Sequence, residues 1–578
     1  MRSTIRFIAA AHAAAWATAL AALAACSASV TASSEGSPAG GAPADSVLFH
    51  GGRIHLGAPD WRRVDALLAV GGRVRAVGSE AELRRALPPG CREVDLAGAT
   101  AVPGLQDAHG HVESYGKSLE TVDLKGCASY AELCERVAAQ AALQPAGTWV
   151  EGRGWDQTRW SENAFPHHRA LSERVPDHPV YLARVDGHAA LVNARALEAA
   201  ELTGPQASEH PVQGGEVRLD SERHPTGVLV DAAMGLVARH LPEPDEATRV
   251  RRILRAQEEL LAQGLTCVHD MGVSRSTIDL LARLRDEGRL KLRLVEYLHG
   301  NRGLRESDLR GLPLAPDPRD RLCAIGVKLL VDGALGSRGA ALLEPYDDAP
   351  LESGLVQLTP DELRERIATC AAAGLQPAIH AIGDRGNRMV LDAYQAELER
   401  NPDFAALRPR VEHAQVVSRE DWGRFGALGA IPSMQPTHAT SDMRWAQERV
   451  GARRLAGAYA WRRLAPDPAR LAFGSDFPVE ETNPLLGLYA ALTRQDAAGW
   501  PEGGWLGDQR LDARTALAAF TSGAAYAAHQ EDRRGRLAPG YWADLSVLDV
   551  DPLECEPREL LTARCVMTVI DGEVVWRF

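Results

Sequence analysis

At 578 residues with a formal net charge of -13, the chain is too long for one small domain, and its acidic balance argues against nucleic acid and for small-molecule partners. A hydrophobic fraction of 45% beside 24% charged residues excludes a disordered chain and permits a large buried core. Nine cysteines without a CxxC pair or zinc-finger spacing exclude a disulfide scaffold, and Cys127 and Cys134 read as buried free thiols rather than a bridge.

The chain starts with Arg2 and Arg6, an Ala-rich apolar run over residues 7–25, and then Leu23, Ala24, Ala25 and Cys26. This resembles a bacterial lipoprotein signal. Residues 1–25 are expected to be cleaved and Cys26 to be lipidated, giving an exported protein held in the cell envelope on its periplasmic face, with Ser27 favouring the outer membrane. The lipid would be its only contact with the membrane. Residues 26–45, rich in Ser, Gly, Pro and Ala, are expected to be a flexible tether.

Short alternating segments broken by glycine follow at residues 46–55, 65–78 and 93–102. The same texture returns at 544–550 and 565–576, where Asp571-Gly572 signals a tight hairpin. Residues 46–103 and 535–578 are therefore expected to build one small β-sandwich domain. Between them, over residues 104–534, strand-like bursts alternate with amphipathic helices, the pattern of an α/β fold with a (β/α)8 TIM-like barrel. Eight strands are expected, at 105–111, 265–270, 292–298, 326–332, 376–380, 410–413, 430–435 and 471–476. Their polar residues fall at the C-terminal ends, where such a barrel carries its chemistry. The stretch from about 114 to 255 is too long for a connection and reads as an inserted α/β subdomain.

The strongest chemical signal is PGLQDAHGH, residues 103–111. Alternation along a strand puts His109 and His111 on one face, where two neutral imidazoles can chelate a divalent ion such as zinc. Lys328 in GVKLLVDG is flanked by Val327 and Leu329 and would be costly to bury as a cation; a salt bridge to Asp332 would relieve that cost. Carbamylation would instead make it an anionic ligand bridging two ions. His380 in QPAIHAIGD and His413 in RVEHAQ suit the second ion, and Asp476 in FGSDFP completes the shell of the first.

These residues, with GWD at 154–156, RVDGHA at 184–189, PTGVL at 225–229, GLTCVHD at 264–270, DGALGSR at 332–338, MQPTH at 434–438 and GRLAPGYWADLSVLDVDP at 535–552, resemble the amidohydrolase superfamily. The resemblance is to its family 3 branch of YtcJ-like proteins and N-substituted formamide deformylases, and it spans nearly the whole mature chain. It implies a metal-dependent hydrolase acting on a non-peptide C–N bond in a small linear or N-substituted amide. Two ions would acidify a bridging water to hydroxide, and Asp476 would serve as general base and then general acid. His438 and His188 are candidates for holding the substrate, and Arg338 for a polar substrate group. A one-metal deaminase of the superfamily would carry a glutamate soon after the fifth-strand histidine, whereas His380 is followed by AIGDRGN. An esterase or lactonase on the same metals and a lipid-anchored, inactive binding protein are the alternatives, and a homo-oligomer is left open.

Overall fold

The structure, a computed structural model, describes residues 45–204, 212–465, 467 and 470–578. The signal, the Cys26 anchor and all of the tether but Asp45 lie outside the described residues. Among the described residues, no helix is long and apolar enough to cross a membrane.

All eight expected barrel strands form. They are Leu105–Gly110, Leu265–Val273, Arg293–His299, Leu322–Leu330, Gln376–Ala381, Arg410–His413, Ile431–Met434 and Ala472–Phe473, hydrogen-bonded in parallel in that order. The first and last strands meet where the Asp476 amide donates to the His109 carbonyl at 2.7 Å and the His111 amide to the Phe477 carbonyl at 3.0 Å. A Cβ at Gly474 would stand 2.5 Å from both Asp107 Oδ1 and the His109 nitrogen, so this seam admits only glycine.

The helix before the fifth strand shows how the layers are specified. Pro360–Ala373 begins with Thr359 and Glu362 capping each other and Pro360 in the first turn, and it ends at Gly374 with φ 68°. Leu363, Ile367 and Cys370 recur on one face and are buried against the barrel. The next residues, Gln376–Ala381, are buried throughout, as expected for a parallel strand covered on both faces.

Both chain ends contribute to two further sheets. One is ordered Arg73–Gly78, Ala66–Val70, Ser46–His50, Arg92–Asp95. The other is ordered Glu573–Arg577, Cys565–Ile570, Leu545–Leu548, Thr100–Pro103, Arg53–His55, Arg63–Val64. Val47, Phe49 and Leu67 share one apolar core with Leu545, Val547 and Met567, which makes the small β-sandwich. Asp571 and Gly572, at φ 57° and 70°, form the expected hairpin turn. This turn also reaches the barrel. Arg293, fully buried in the third barrel strand, donates to Asp544 at 2.7 and 2.8 Å and also to Asp571. Arg321 takes the other Asp571 oxygen at 2.6 Å.

A six-stranded mixed sheet lies between barrel strands one and two, ordered Gly215–Leu219, Pro225–Asp231, Ala189–Val192, Val180–Arg184, Val150–Trp155, Val122–Asp123. The strands of this sheet lie between Val122 and Asp231, inside the stretch expected to be inserted at about 114–255. Helix Val112–Ser118 and helix Glu246–Ala262 pack on each other beside the barrel, tied by Arg249 on Glu113 with two 2.9 Å bonds. Cys127 and Cys134 are both buried and free.

Candidate metal centre and active site

The C-terminal ends of the barrel strands bring the predicted ligands together. His109, His111 and Asp476 each place a donor atom within 4.8 Å of the others, and so do His413, His438 and Asp476. Asp476 belongs to both groups. Imidazole nitrogens and a carboxylate at this spacing suit a borderline-soft divalent ion. Burial holds His109 down at about 4, with the Lys328 charge adding to it, and burial also keeps His380 and His413 well below the ordinary histidine range. All three are therefore biased toward the neutral form that metal ligation requires. Burial opposes ionisation of Asp476, but His109, His111 and His438 together hold it below the usual carboxylate range. His413 and Asp476 both take left-handed backbone, at φ 72° and 61°, the kind of strain that collects at functional sites.

Lys328 is 4% exposed and its Nζ lies 2.9 Å from His109 Nε2. Burial pulls its pKa down to about 8. The alternative salt bridge to Asp332 does not form, because Asp332 accepts backbone amides of Ala341, Ile382 and Gly383 at 2.8 to 3.0 Å. His380 packs its ring 4.6 Å from that of His413, but its Nε2 faces Asp332 Oδ1 at 3.4 Å and the Gly333 carbonyl at 3.5 Å. Among the described residues, His380 is in neither donor group.

Beneath the ligands lies a buried polar layer that aims them. His109 Nδ1 donates to Glu412 at 2.6 Å, which leaves Nε2 free to bind. Glu412 is in turn paired with Arg410 at 2.7 Å, and both side chains are fully buried. Burial disfavours the Glu412 charge, yet Arg410 and His109 keep it ionised well below the usual range. Arg410 also reaches the Ala108 carbonyl at 2.7 Å and Tyr297 Oη at 2.9 Å. His111 Nδ1 is fixed by the Met271 carbonyl at 2.8 Å, and His413 Nδ1 by Gln435 at 2.8 Å. Asp107 accepts from the His109 amide and from Ser475, and burial raises it to about 7. None of Asp107, Arg410, Glu412 or Gln435 was assigned a role from sequence. Alternation was the available signal, since Asp107 shares a face with His109 and His111, and Arg410 with Glu412.

A cavity of about 770 Å³ opens over this wall and is lined by His380, His413, His438 and Asp476. The inserted unit supplies the facing side. There His188 Nδ1 donates to the buried Asp231 at 2.6 Å; burial works against its protonation, but the Asp231 charge prevails and raises its pKa. Its ring is 5.0 Å from that of His380. Buried Arg184 is held by Asp156 and Asp186, each at 2.6 Å. These three residues fall in segments that carry the family resemblance but were given no role. Arg338 is turned instead to Asp348 at 2.9 Å and is not among the residues lining the cavity.

The amidohydrolase family model matches residues 92–576. The chain is 32% identical to the protein LONG AFTER FAR-RED 3 of Arabidopsis thaliana, over 93% of each chain. It is 28% identical to an N-substituted formamide deformylase of Arthrobacter pascens, covering 88% of this chain and 94% of that one. A crystal structure of an uncharacterized metal-dependent hydrolase from Pyrococcus horikoshii superimposes with a TM-score of 0.71 at 29% identity, covering 89% of this chain and 99% of that one. With a closed parallel barrel and clustered histidine and aspartate donors at its C-terminal end, this chain belongs to the amidohydrolase family and is a metal-dependent hydrolase.

Proposed function

We propose that the protein hydrolyses a non-peptide C–N bond in a small linear or N-substituted amide, using two divalent ions, zinc by preference, and a carbamylated Lys328. The observation that carries this reading is the pair of donor groups sharing Asp476, with a buried lysine beside His109 that makes no direct ion pair among the described residues. His109 and His111 would hold one ion, His413 with His380 or His438 the other, and a carbamate on Lys328 would reach between them. Such ions, when bound, acidify water and polarise a carbonyl.

The chain's own residues do the rest. Asp476, ionised and central, takes the proton from the attacking water and returns it to the departing nitrogen, which leaves poorly as an anion. Glu412 keeps His109 in the tautomer that presents Nε2. His188, held by Asp231, presents a donor to the substrate from the opposite side. The formamide deformylase relative supports the choice of a C–N bond. Export and lipid anchoring through Cys26 belong to the same proposal and rest on the sequence alone.

The test is metal content of purified protein against Lys328→Ala, followed by assay of N-substituted amides and acyl-matched esters. About two ions per wild-type chain, falling in the variant, with amide turnover lost in parallel, is the expected result. One ion or fewer in both proteins, unchanged by added metal and bicarbonate, would overturn the two-ion site. Turnover of the esters with the matched amides untouched would replace C–N by C–O hydrolysis.

A further inference from the structure

The cavity walls carry seven carboxylates against four cations, Lys125, Arg159, Arg184 and Arg444, and four of the carboxylates are paired locally. Asp156 and Asp186 share Arg184, Glu481 pairs with Lys125 at 3.1 Å, and Asp496 pairs with Arg444 at 2.5 Å. Asp442 and Glu480 differ. Among the described residues, their side-chain contacts are to Gln415, Tyr459 and Ser441 rather than to a lysine or arginine, although both line the cavity.

Asp442 is held in a defined pose. Its Oδ2 accepts from both Gln415 Nε2 and Tyr459 Oη at 2.6 Å, while Oδ1 accepts no hydrogen bond from the described residues. Gln415 lies two residues beyond His413, so the carboxylate is fixed relative to the ligand-bearing strand. Glu480 has one oxygen on Ser441 Oγ at 2.6 Å. The Nε2 of His438, a residue 9% exposed, also lines this cavity and lacks a hydrogen-bond partner. Burial lifts Asp442 to about 7 and raises Glu480 as well, although His438 draws both down and Lys125 also draws down Glu480. A half-buried carboxylate with no cation in ion-pair contact is costly, and a ligand that brings one lowers that cost.

We propose that Asp442 and Glu480 form a subsite for a positively charged nitrogen of the substrate, so that the enzyme selects amides bearing an ammonium group away from the scissile bond. This rests on the amide reading of the same metal centre. The free Oδ1 of Asp442 accepts the ammonium in a charge-assisted hydrogen bond, and Glu480 adds the second negative charge. Neutral analogues of the same shape leave the carboxylates desolvated and unpaired, and carboxylate analogues are repelled.

The experiment has two parts, so that failure of the subsite and failure of the amide reading are separable. Binding of n-hexylammonium, n-hexanol and hexanoate to the metal-loaded protein is measured by calorimetry, without turnover. The ammonium should bind about tenfold or more tightly than either other probe, and the preference should collapse in Asp442→Asn and weaken in Glu480→Gln. The second variant covers the case in which Asp442→Asn does not fold. In the second part, kcat/KM is compared for amides, and for esters, that carry a terminal ammonium or its neutral isostere. The ratio should favour the ammonium in the wild type and approach one in the variants, whichever bond is cleaved. Equal binding of all three probes, preference for hexanoate, or an ammonium preference that survives both substitutions would overturn the subsite.

Discussion

The two sides of the active-site cavity are built on different principles. On the barrel side, each ligand stands at a strand end and is aimed by a fully buried polar layer, with Glu412 on His109 and Arg410 beneath it. On the inserted side, His188 is positioned by one carboxylate, Asp231, and Arg184 by two, Asp156 and Asp186, at the strand ends of a separate sheet. The first arrangement tolerates no change of position because an ion needs several donors at once. The second holds individual groups against whatever substrate enters. The family chemistry can thus be kept in the barrel while the insertion sets what is accepted.

Substitution at the deepest point of the barrel side should give the largest effect. Glu412→Gln should weaken metal affinity about 10- to 100-fold and, by leaving Arg410 buried without its partner, destabilise the protein by about 3–5 kcal/mol. Metal titration and denaturant unfolding check these values. Asp231→Asn should be milder and different in kind: it frees His188, and kcat/KM should drop about 10- to 100-fold while metal content stays at the wild-type level. Metal loss in step with activity would mean that the two sides are one unit and would break the comparison.

The smallest effects are in acid–base behaviour, and they have opposite signs. His109, held at about 4 against an ordinary 6.5, and His380 and His413, shifted the same way, bind protons more readily in the unfolded chain. Their contribution is complete above about pH 6.5 and is lost as pH falls below it toward 4. His188 is shifted upward by Asp231, so its contribution is present below pH 6.5 and is lost as pH rises through its raised value. Melting temperatures of metal-free protein across this range should therefore fall more shallowly on the acid side in His413→Gln and on the alkaline side in His188→Gln.

The same contrast decides what could be read in advance. The barrel strands were legible as buried β-rich runs with polar ends, several of them following an amphipathic helix, and HxH and FGSD name their own faces. The layer beneath was harder to see: an Arg and a Glu two residues apart in RVEH look like surface charges until the neighbouring strands bury them. Long-range pairs left even less trace. Nothing local in the sequence joins His188 to Asp231, 43 residues apart, or turns Arg338 away toward Asp348. Helices 112–118 and 246–262, which overlap the two ends of the stretch read as an insertion, pack on each other, a contact that nothing local in the sequence signals.

The Arg293 clamp has a consequence for synthesis. The third barrel strand carries a charge whose partners, Asp544 and Asp571, lie 251 and 278 residues further along the chain. A nascent chain that has already made every metal ligand still lacks the groups that let this strand enter the interior. The barrel's third strand thus has its buried charge fully paired only when the final hairpin is in place, which ties completion of the barrel to the last residues of the chain.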